Sequence, residues 1–231
     1  MTGAIFDFNG TMFFDEAFQE RSWREFLGQK TGRDVTDAEF QEYIHGRNAD
    51  VSLPYFLQRS LSRQEIEDLE EEKEVIYRDL CLKSADFRLA DGLPLFLDRL
   101  KQLDFPITIA TASGWNNVQF FFDHLGLDRW FNLQNVVYND GTIPGKPEPD
   151  LYLLAAERLG VDIHGCAVFE DAQSGIEAAK RAGAGKIIQA ASMKQPHINR
   201  DADRVIRDYC DVDGLLAELG LGPSPGDPTN A

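Results

Sequence analysis

The sequence predicts an α/β protein, a doubly wound parallel sheet with a helical segment inserted after its first strand. Two patterns lead there. Short apolar runs recur along the chain, each stopping at polar residues and giving way to a helical pattern, which is the alternation of βαβ units. Between the first run and the second, residues 16–87 drop that rhythm and carry their apolar residues at helical spacing instead.

The first run, Ala4-Ile5-Phe6, leads straight into Asp7. The second, Pro106-Ile107-Thr108-Ile109-Ala110, ends at Thr111-Ala112-Ser113, and Asn117 to Leu125 then follows a helical pattern. Asn135-Val136-Val137-Tyr138 reads as a third strand stopping at Asn139-Asp140-Gly141, and Cys166-Ala167-Val168-Phe169 as a fourth stopping at Glu170-Asp171. Lys186-Ile187-Ile188 and Arg204-Val205-Ile206 supply two more. Strands separated by helices lie parallel and are covered on both faces, so residues 1–15 and 88–219 are expected to form a Rossmann-like core domain.

Residues 16–87 hold Trp23, Phe26, Leu27, Tyr43, Ile44, Tyr55, Phe56 and Leu57, and read as an inserted helical domain. The acidic run Glu65 to Glu74 within it fits a solvated helix face. Residues 220–231, proline-rich and without apolar periodicity after Leu221, read as a flexible tail.

Composition narrows the function classes. A net charge of −16 leaves few cations to cluster, which excludes a nucleic-acid or anionic-membrane surface. With 43% hydrophobic and 11% aromatic residues the chain can bury enough apolar surface to order itself. No stretch approaches the roughly 20 apolar residues of a membrane span, and no basic-then-apolar leader precedes Ile5, so a cytoplasmic location is expected. Cys81, Cys166 and Cys210 are odd in number and lack CxxC spacing, which speaks against a disulfide framework or a zinc site.

Ligands of an open parallel sheet bind beyond the carboxyl ends of its strands. Just past those ends stand Asp7, Asn9 and Thr11, then Thr111 and Ser113, then Glu170 and Asp171. Lys146 joins them from Gly145-Lys146-Pro147-Glu148-Pro149-Asp150, a loop that opens a helix with a proline suited to its first turn. Taken singly these residues have ordinary readings: Asn9-Gly10 as a hairpin turn, Glu170-Asp171 as a helix cap, Lys146 as a surface lysine. Taken together they crowd three carboxylates, which need cations to offset them. A Mg²⁺ ion and Lys146 would do so, since hard oxygen ligands favour Mg²⁺ over zinc and Mg²⁺ shares its shell with substrate phosphates.

In order and spacing the motifs resemble the haloacid-dehalogenase-like hydrolase superfamily, in the branch of beta-phosphoglucomutase and small sugar-phosphate phosphatases, over Ile5 to about Leu219. Phe6-Asp7-Phe8-Asn9-Gly10-Thr11 is similar to the first motif, with Asp7 at the nucleophile position. Thr111 stands where the second places a phosphate-binding hydroxyl, Lys146 matches the third, and Phe169-Glu170-Asp171-Ala172-Gln173-Ser174-Gly175 the acidic fourth. The helical insert resembles the family's cap domain. The resemblance implies a Mg²⁺-dependent phosphatase that acts on a small phosphorylated metabolite through an aspartyl-phosphate on Asp7. Metal ligands would be Asp7, the Asn9 carbonyl, Glu170 and Asp171. Thr11, Thr111, Ser113 and Lys146 would hold the phosphate, in a monomer or weak homo-oligomer.

One departure stands out. The family's phosphatases and mutases usually carry an aspartate two residues after the nucleophile as general acid and base, and this chain has Asn9. An amide does neither job, so a slow enzyme is expected. The open explanations are a base supplied from elsewhere, a protein that only binds phospho-ligands, and a substitution that traps a complex. From the cap, Arg47 in His45-Gly46-Arg47-Asn48 resembles a substrate-recognition segment. Lys73, four residues before Tyr77, is either a substrate contact or a solvated lysine among acids. A mutase is expected to have a histidine near the start of the cap, where Gln19 and Glu20 stand, and this lowers the beta-phosphoglucomutase-like phosphotransferase alternative.

Overall fold

The computed structural model describes residues 1–191 and 198–222. In chain order its elements begin with β1 (Gly3–Phe6), α1 (Glu16–Thr31), α2 (Asp37–Tyr43), α3 (Ala49–Leu57) and α4 (Arg63–Leu82). They continue with α5 (Leu93–Gln102), β2 (Ile107–Ile109), α6 (Trp115–Leu125), α7 (Asp150–Leu159), β3 (Cys166–Glu170) and α8 (Gln173–Ala182). β4 (Lys186–Ala190), β5 (Arg204–Ile206) and α9 (Val212–Glu218) complete them. The chain divides into two compact units, one of Met1–Phe14 with the residues from Arg88 onward, the other of Asp15–Phe87.

In the first unit the described strands form one parallel sheet in the order β2-β1-β3-β4-β5. Its central strands are apolar on both sides because helices cover both. Ile5 and Val168 join Leu151, Tyr152, Ile176 and Ala179 of α7 and α8 in one cluster. Alternation along the strand turns Phe6 and Phe169 to the other side. There their rings stack at 4.5 Å, with Phe96 of α5 6.4 Å from Phe6 and Tyr209 5.9 Å from Phe169. In this strand order the chain winds one way from β1 to β2 and the other way through β3, β4 and β5. The crevice at that reversal, beyond the ends of β1 and β3, is where an open α/β sheet binds ligands.

The run Asn135–Tyr138, expected as a strand, forms a single parallel bridge from Val137 to Ala110. A 3₁₀ turn at Leu133–Asn135 precedes it, and Asn139 is drawn off to the carbonyl of Ser113. Val136 and Val137 are apolar because they are buried, and between that turn and the diverted Asn139 the stretch is too short to carry a ladder. The expected tail is corrected at its start. Gly220, at φ 75°, and Leu221 close α9, the Leu221 amide donating to the Leu216 carbonyl at 2.8 Å. From residue 223 that expectation lies outside the described residues.

In the second unit α1 to α4 enclose Phe26, Leu27, Phe40, Leu53 and Phe56. Thr36 with Glu39 and Ser62 with Glu65 form capping boxes that start α2 and α4. Among the described residues, no helix of either unit is long and apolar enough to cross a membrane.

Candidate active site

Asp7 continues β1 past its last residue, its amide donating to the Phe169 carbonyl at 2.9 Å, so the ladder to β3 fixes where its carboxylate begins. The chain then turns sharply. The Phe8 carbonyl accepts from the amides of Met12 and Phe13 at 2.8 and 3.1 Å, and the Gly10 amide reaches the Phe13 carbonyl at 2.8 Å. Gly10 has φ 74°, and a Cβ there would lie 2.2 Å from Asp171 Oδ2. Backbone conformation and the close approach of Asp171 both require glycine at this point.

Glu170 closes β3 and is held from three sides. Its Oε2 accepts from the Ala172 amide at 2.7 Å, and its Oε1 accepts from the Tyr152 hydroxyl at 3.1 Å and from Lys146. A Cβ on Gly175, in the first turn of α8, would lie 1.6 Å from Glu170 Oε1, so the helix can pass this carboxylate only as glycine. Lys146 reaches in from the loop before α7, its Nζ 2.6 Å from Asp7 Oδ1 and also bonded to Glu170. Burial works against a charged ammonium there, but the Asp7 and Glu170 carboxylates outweigh it and hold the lysine protonated well above its ordinary range. Burial and the Glu170 charge push the Tyr152 hydroxyl up, which keeps it a neutral donor.

Carboxylate oxygens of Asp7, Glu170 and Asp171 come within 4.8 Å of one another. Three anions so close, mostly buried, need more than one lysine to balance them, and an all-oxygen donor set suits a small hard cation such as Mg²⁺. Hydroxyls complete the rim. Thr11 Oγ1 is 3.4 Å from Asp171 Oδ1, Thr111 Oγ1 accepts from the Ser113 amide at 3.1 Å, and the Ser113 hydroxyl donates to Asn9 Oδ1 at 2.8 Å. A carboxylate paired with a buried ammonium, beside hydroxyl donors and a candidate cation site, is equipped to attack an electrophilic phosphorus and to screen the charge of its oxygens.

Eight of the sequence-chosen residues therefore meet in the first unit: Asp7, Asn9, Thr11, Thr111, Ser113, Lys146, Glu170 and Asp171. Arg47 and Lys73 belong to the second. Arg47 is exposed in the turn between α2 and α3. The solvated alternative for Lys73 is corrected, because it is 3% exposed. Its Nζ is 2.9 Å from Gln19 Oε1 and 2.6 Å from Glu74, and lies 5.2 and 5.5 Å from the Trp23 and Tyr77 rings. Those aromatic faces and the two oxygens replace water around the ammonium.

Two supporting residues were not singled out from the sequence. Tyr152 carries no signal beyond the apolar period of its helix. The fully buried Tyr209, whose hydroxyl donates to the Thr11 carbonyl at 3.2 Å, lies in a loop remote in sequence from every motif.

A sequence model described as haloacid dehalogenase-like hydrolase matches residues 1–183. A phosphorylated carbohydrates phosphatase of Thermotoga maritima is 28% identical over 191 residues, 81% of this chain and 84% of that protein. Fructose-1-phosphate phosphatase YqaB of Escherichia coli is 32% identical over 78% of this chain and 92% of its own. A crystal structure of an Entamoeba histolytica HAD hydrolase, family IA, variant 3, superimposes with a TM-score of 0.85 at 34% identity, covering 92% of this chain and 99% of that one. With the five-stranded order and the carboxylate cluster at its switch point, these matches make the chain a member of the haloacid dehalogenase-like hydrolase family.

Proposed function

We propose that this protein is a phosphatase of small phosphorylated metabolites, sugar phosphates in particular, and that Asp7 is its nucleophile. The observation that carries the reading is the Asp7–Lys146–Glu170 contact at the end of β1, with Asp171 beside it. The substrate class is supported by the relatives named for phosphorylated carbohydrates and fructose 1-phosphate.

The chemistry follows from the residues. An oxygen of Asp7 attacks the phosphorus of a monoester, an O–P bond forms, and the bond to the leaving alkoxide breaks. Water then attacks the same phosphorus and frees Asp7 with inorganic phosphate. Lys146 keeps Asp7 fixed and offsets the charge gathering on the phosphoryl oxygens, while Thr11, Thr111 and Ser113 supply hydroxyls to hold them. Asp7, Glu170, Asp171 and the Asn9 carbonyl would hold Mg²⁺, which when bound screens the negative charge of the phosphoryl group. Asn9 provides neither proton donor nor base, so departure of a basic alkoxide and activation of water are both slow. Arg47, exposed in the turn between α2 and α3, is proposed as a contact of the cap with substrate, whereas the ammonium of the buried Lys73 is already taken up by Gln19 and Glu74. A cytoplasmic setting goes with three free thiols.

Phosphate release from a panel of sugar phosphates, with Mg²⁺ and with chelator, tests the reading. Release that needs Mg²⁺ supports it, and full release in chelator contradicts it. A second reading, favoured by Asn9, is a phospho-ligand-binding protein without turnover, and binding with no release from any ester would put it first.

A further inference from the structure

Trp115 is the first residue of α6, two positions after Ser113, whose hydroxyl touches Asn9. It is 41% exposed. The other tryptophans have evident duties: Trp130 Nε1 donates to Asp98 at 2.7 Å, and Trp23 packs with Phe26 in the core of the second unit. The Trp115 indole instead leans on the half-buried Tyr138, ring centroids 5.3 Å apart and planes inclined by 48°. The segments bearing the two rings are tied together beside the site, Thr111 N to the Val137 carbonyl at 2.9 Å and Asn139 N to the Ser113 carbonyl at 3.0 Å.

We propose that Trp115, backed by Tyr138, is a stacking platform for the ring of a sugar phosphate, a specificity determinant for the leaving group. The inference rests on the sugar-phosphatase reading above and names how the non-reacting part of that substrate is recognised. Consecutive Cα atoms are 3.8 Å apart, so Trp115 Cα lies within about 7.6 Å of Ser113 Cα, and the indole extends several ångströms further. That reach matches a sugar ring attached to a phosphoryl group held at Ser113 and Thr111. A sugar presents a face of C–H bonds carrying partial positive charge, which the negative face of an indole attracts. The segment Thr111-Ala112-Ser113-Gly114-Trp115-Asn116-Asn117 has no lysine or arginine. It is therefore built for a neutral ring and not for a second phosphate, and the exposed Asn116 can bond to ring hydroxyls. Water is left against an indole in the free protein, and the sugar ring displaces it.

The experiment uses the full chain with 5-fluorotryptophan at its three tryptophans, the Trp115 resonance being assigned with Trp115→Phe. Glucose 6-phosphate is compared with glycerol 3-phosphate, a ring-free ester, by ¹⁹F NMR and by kinetics. The Trp115 resonance should move with glucose 6-phosphate and not with glycerol 3-phosphate. In Trp115→Ala the ratio of KM for glucose 6-phosphate to KM for glycerol 3-phosphate should rise about tenfold, and Trp115→Phe should restore most of it. If the wild type releases phosphate while the ratio stays within about twofold and the resonance is still, the platform is overturned and the phosphatase reading stands. If no ester is hydrolysed yet the resonance moves with glucose 6-phosphate alone, the platform stands and the turnover reading falls. A still resonance with no release overturns both.

Discussion

The Ser113 hydroxyl donates to Asn9 Oδ1 at 2.8 Å, so the side chain two residues after Asp7 is held in place as an amide. An amide so held offers neither a proton donor nor a base for catalysis. Asn9→Asp should raise turnover of alkyl sugar phosphates by about 10² or more, the usual contribution of a positioned general acid. p-Nitrophenyl phosphate, whose leaving group departs without a proton, should gain less. Phosphate release, run with intact-mass analysis to exclude deamidated Asn9, checks this. Equal turnover of both proteins on every ester would show that another residue is the base or that no hydrolysis occurs.

Lys146 pairs with both Asp7 and Glu170, and all three side chains are nearly inaccessible. Lys146→Ala leaves two buried carboxylates facing each other. We expect a loss of at least about 10² in rate. In metal-free buffer we also expect a loss of about 3 kcal/mol in stability, the scale of a broken buried ion pair. Denaturant melts and initial rates measure the two effects separately. Wild-type rate in the variant would place the chemistry elsewhere.

Gly175 is a steric requirement. A Cβ there meets Glu170 Oε1 at 1.6 Å, and Glu170 cannot retreat from Tyr152, Lys146 and the Ala172 amide without breaking those bonds. Gly175→Ala should cost about 1–3 kcal/mol by overpacking and should abolish phosphate release. Thermal melts and activity check it. A fully active, equally stable variant would show that Glu170 is not fixed as described.

Much of this was legible in the sequence, for a physical reason. Polar groups placed just beyond short buried strands interrupt an apolar run with a carboxylate or a hydroxyl, as at Phe6-Asp7 and Phe169-Glu170, and such an interruption is visible in one dimension. Burial without a ladder was not. Val136 and Val137 have the composition of a strand, but the 3₁₀ turn before them and the diversion of Asn139 to Ser113 limit their pairing to the one bridge from Val137 to Ala110. Lys73 was hidden among acids because nothing local shows that Trp23, fifty residues earlier, supplies an aromatic face. Tyr209 supports the loop that follows Asp7 through one hydroxyl, a long-range contact without periodic trace.

The second unit should weaken in acid. Glu39 is held down to about 2 by Arg33 and by Thr36. Glu65 is held down to about 2 by the Ser62 amide and by Arg59. A depressed carboxylate contributes stability above its unfolded value, near 4.5, and loses it as pH falls toward the folded value near 2. Melting between pH 5 and pH 2 should therefore show a fall that is reduced in Glu39→Gln with Glu65→Gln, which also lack part of the capping boxes. An unchanged pH dependence in the double variant would assign the acid loss to other groups.

The role of Asp7 is tested most directly by steady-state phosphate release in Mg²⁺ from the wild type and from Asp7→Asn, with folding of both followed by circular dichroism. Asp7→Asn removes the carboxylate proposed as nucleophile but keeps the shape of the side chain at the end of β1. The expected result is slow release by the wild type and none by the folded variant. Equal release by the two proteins would contradict the assignment of Asp7 and, with it, the mechanism built on it.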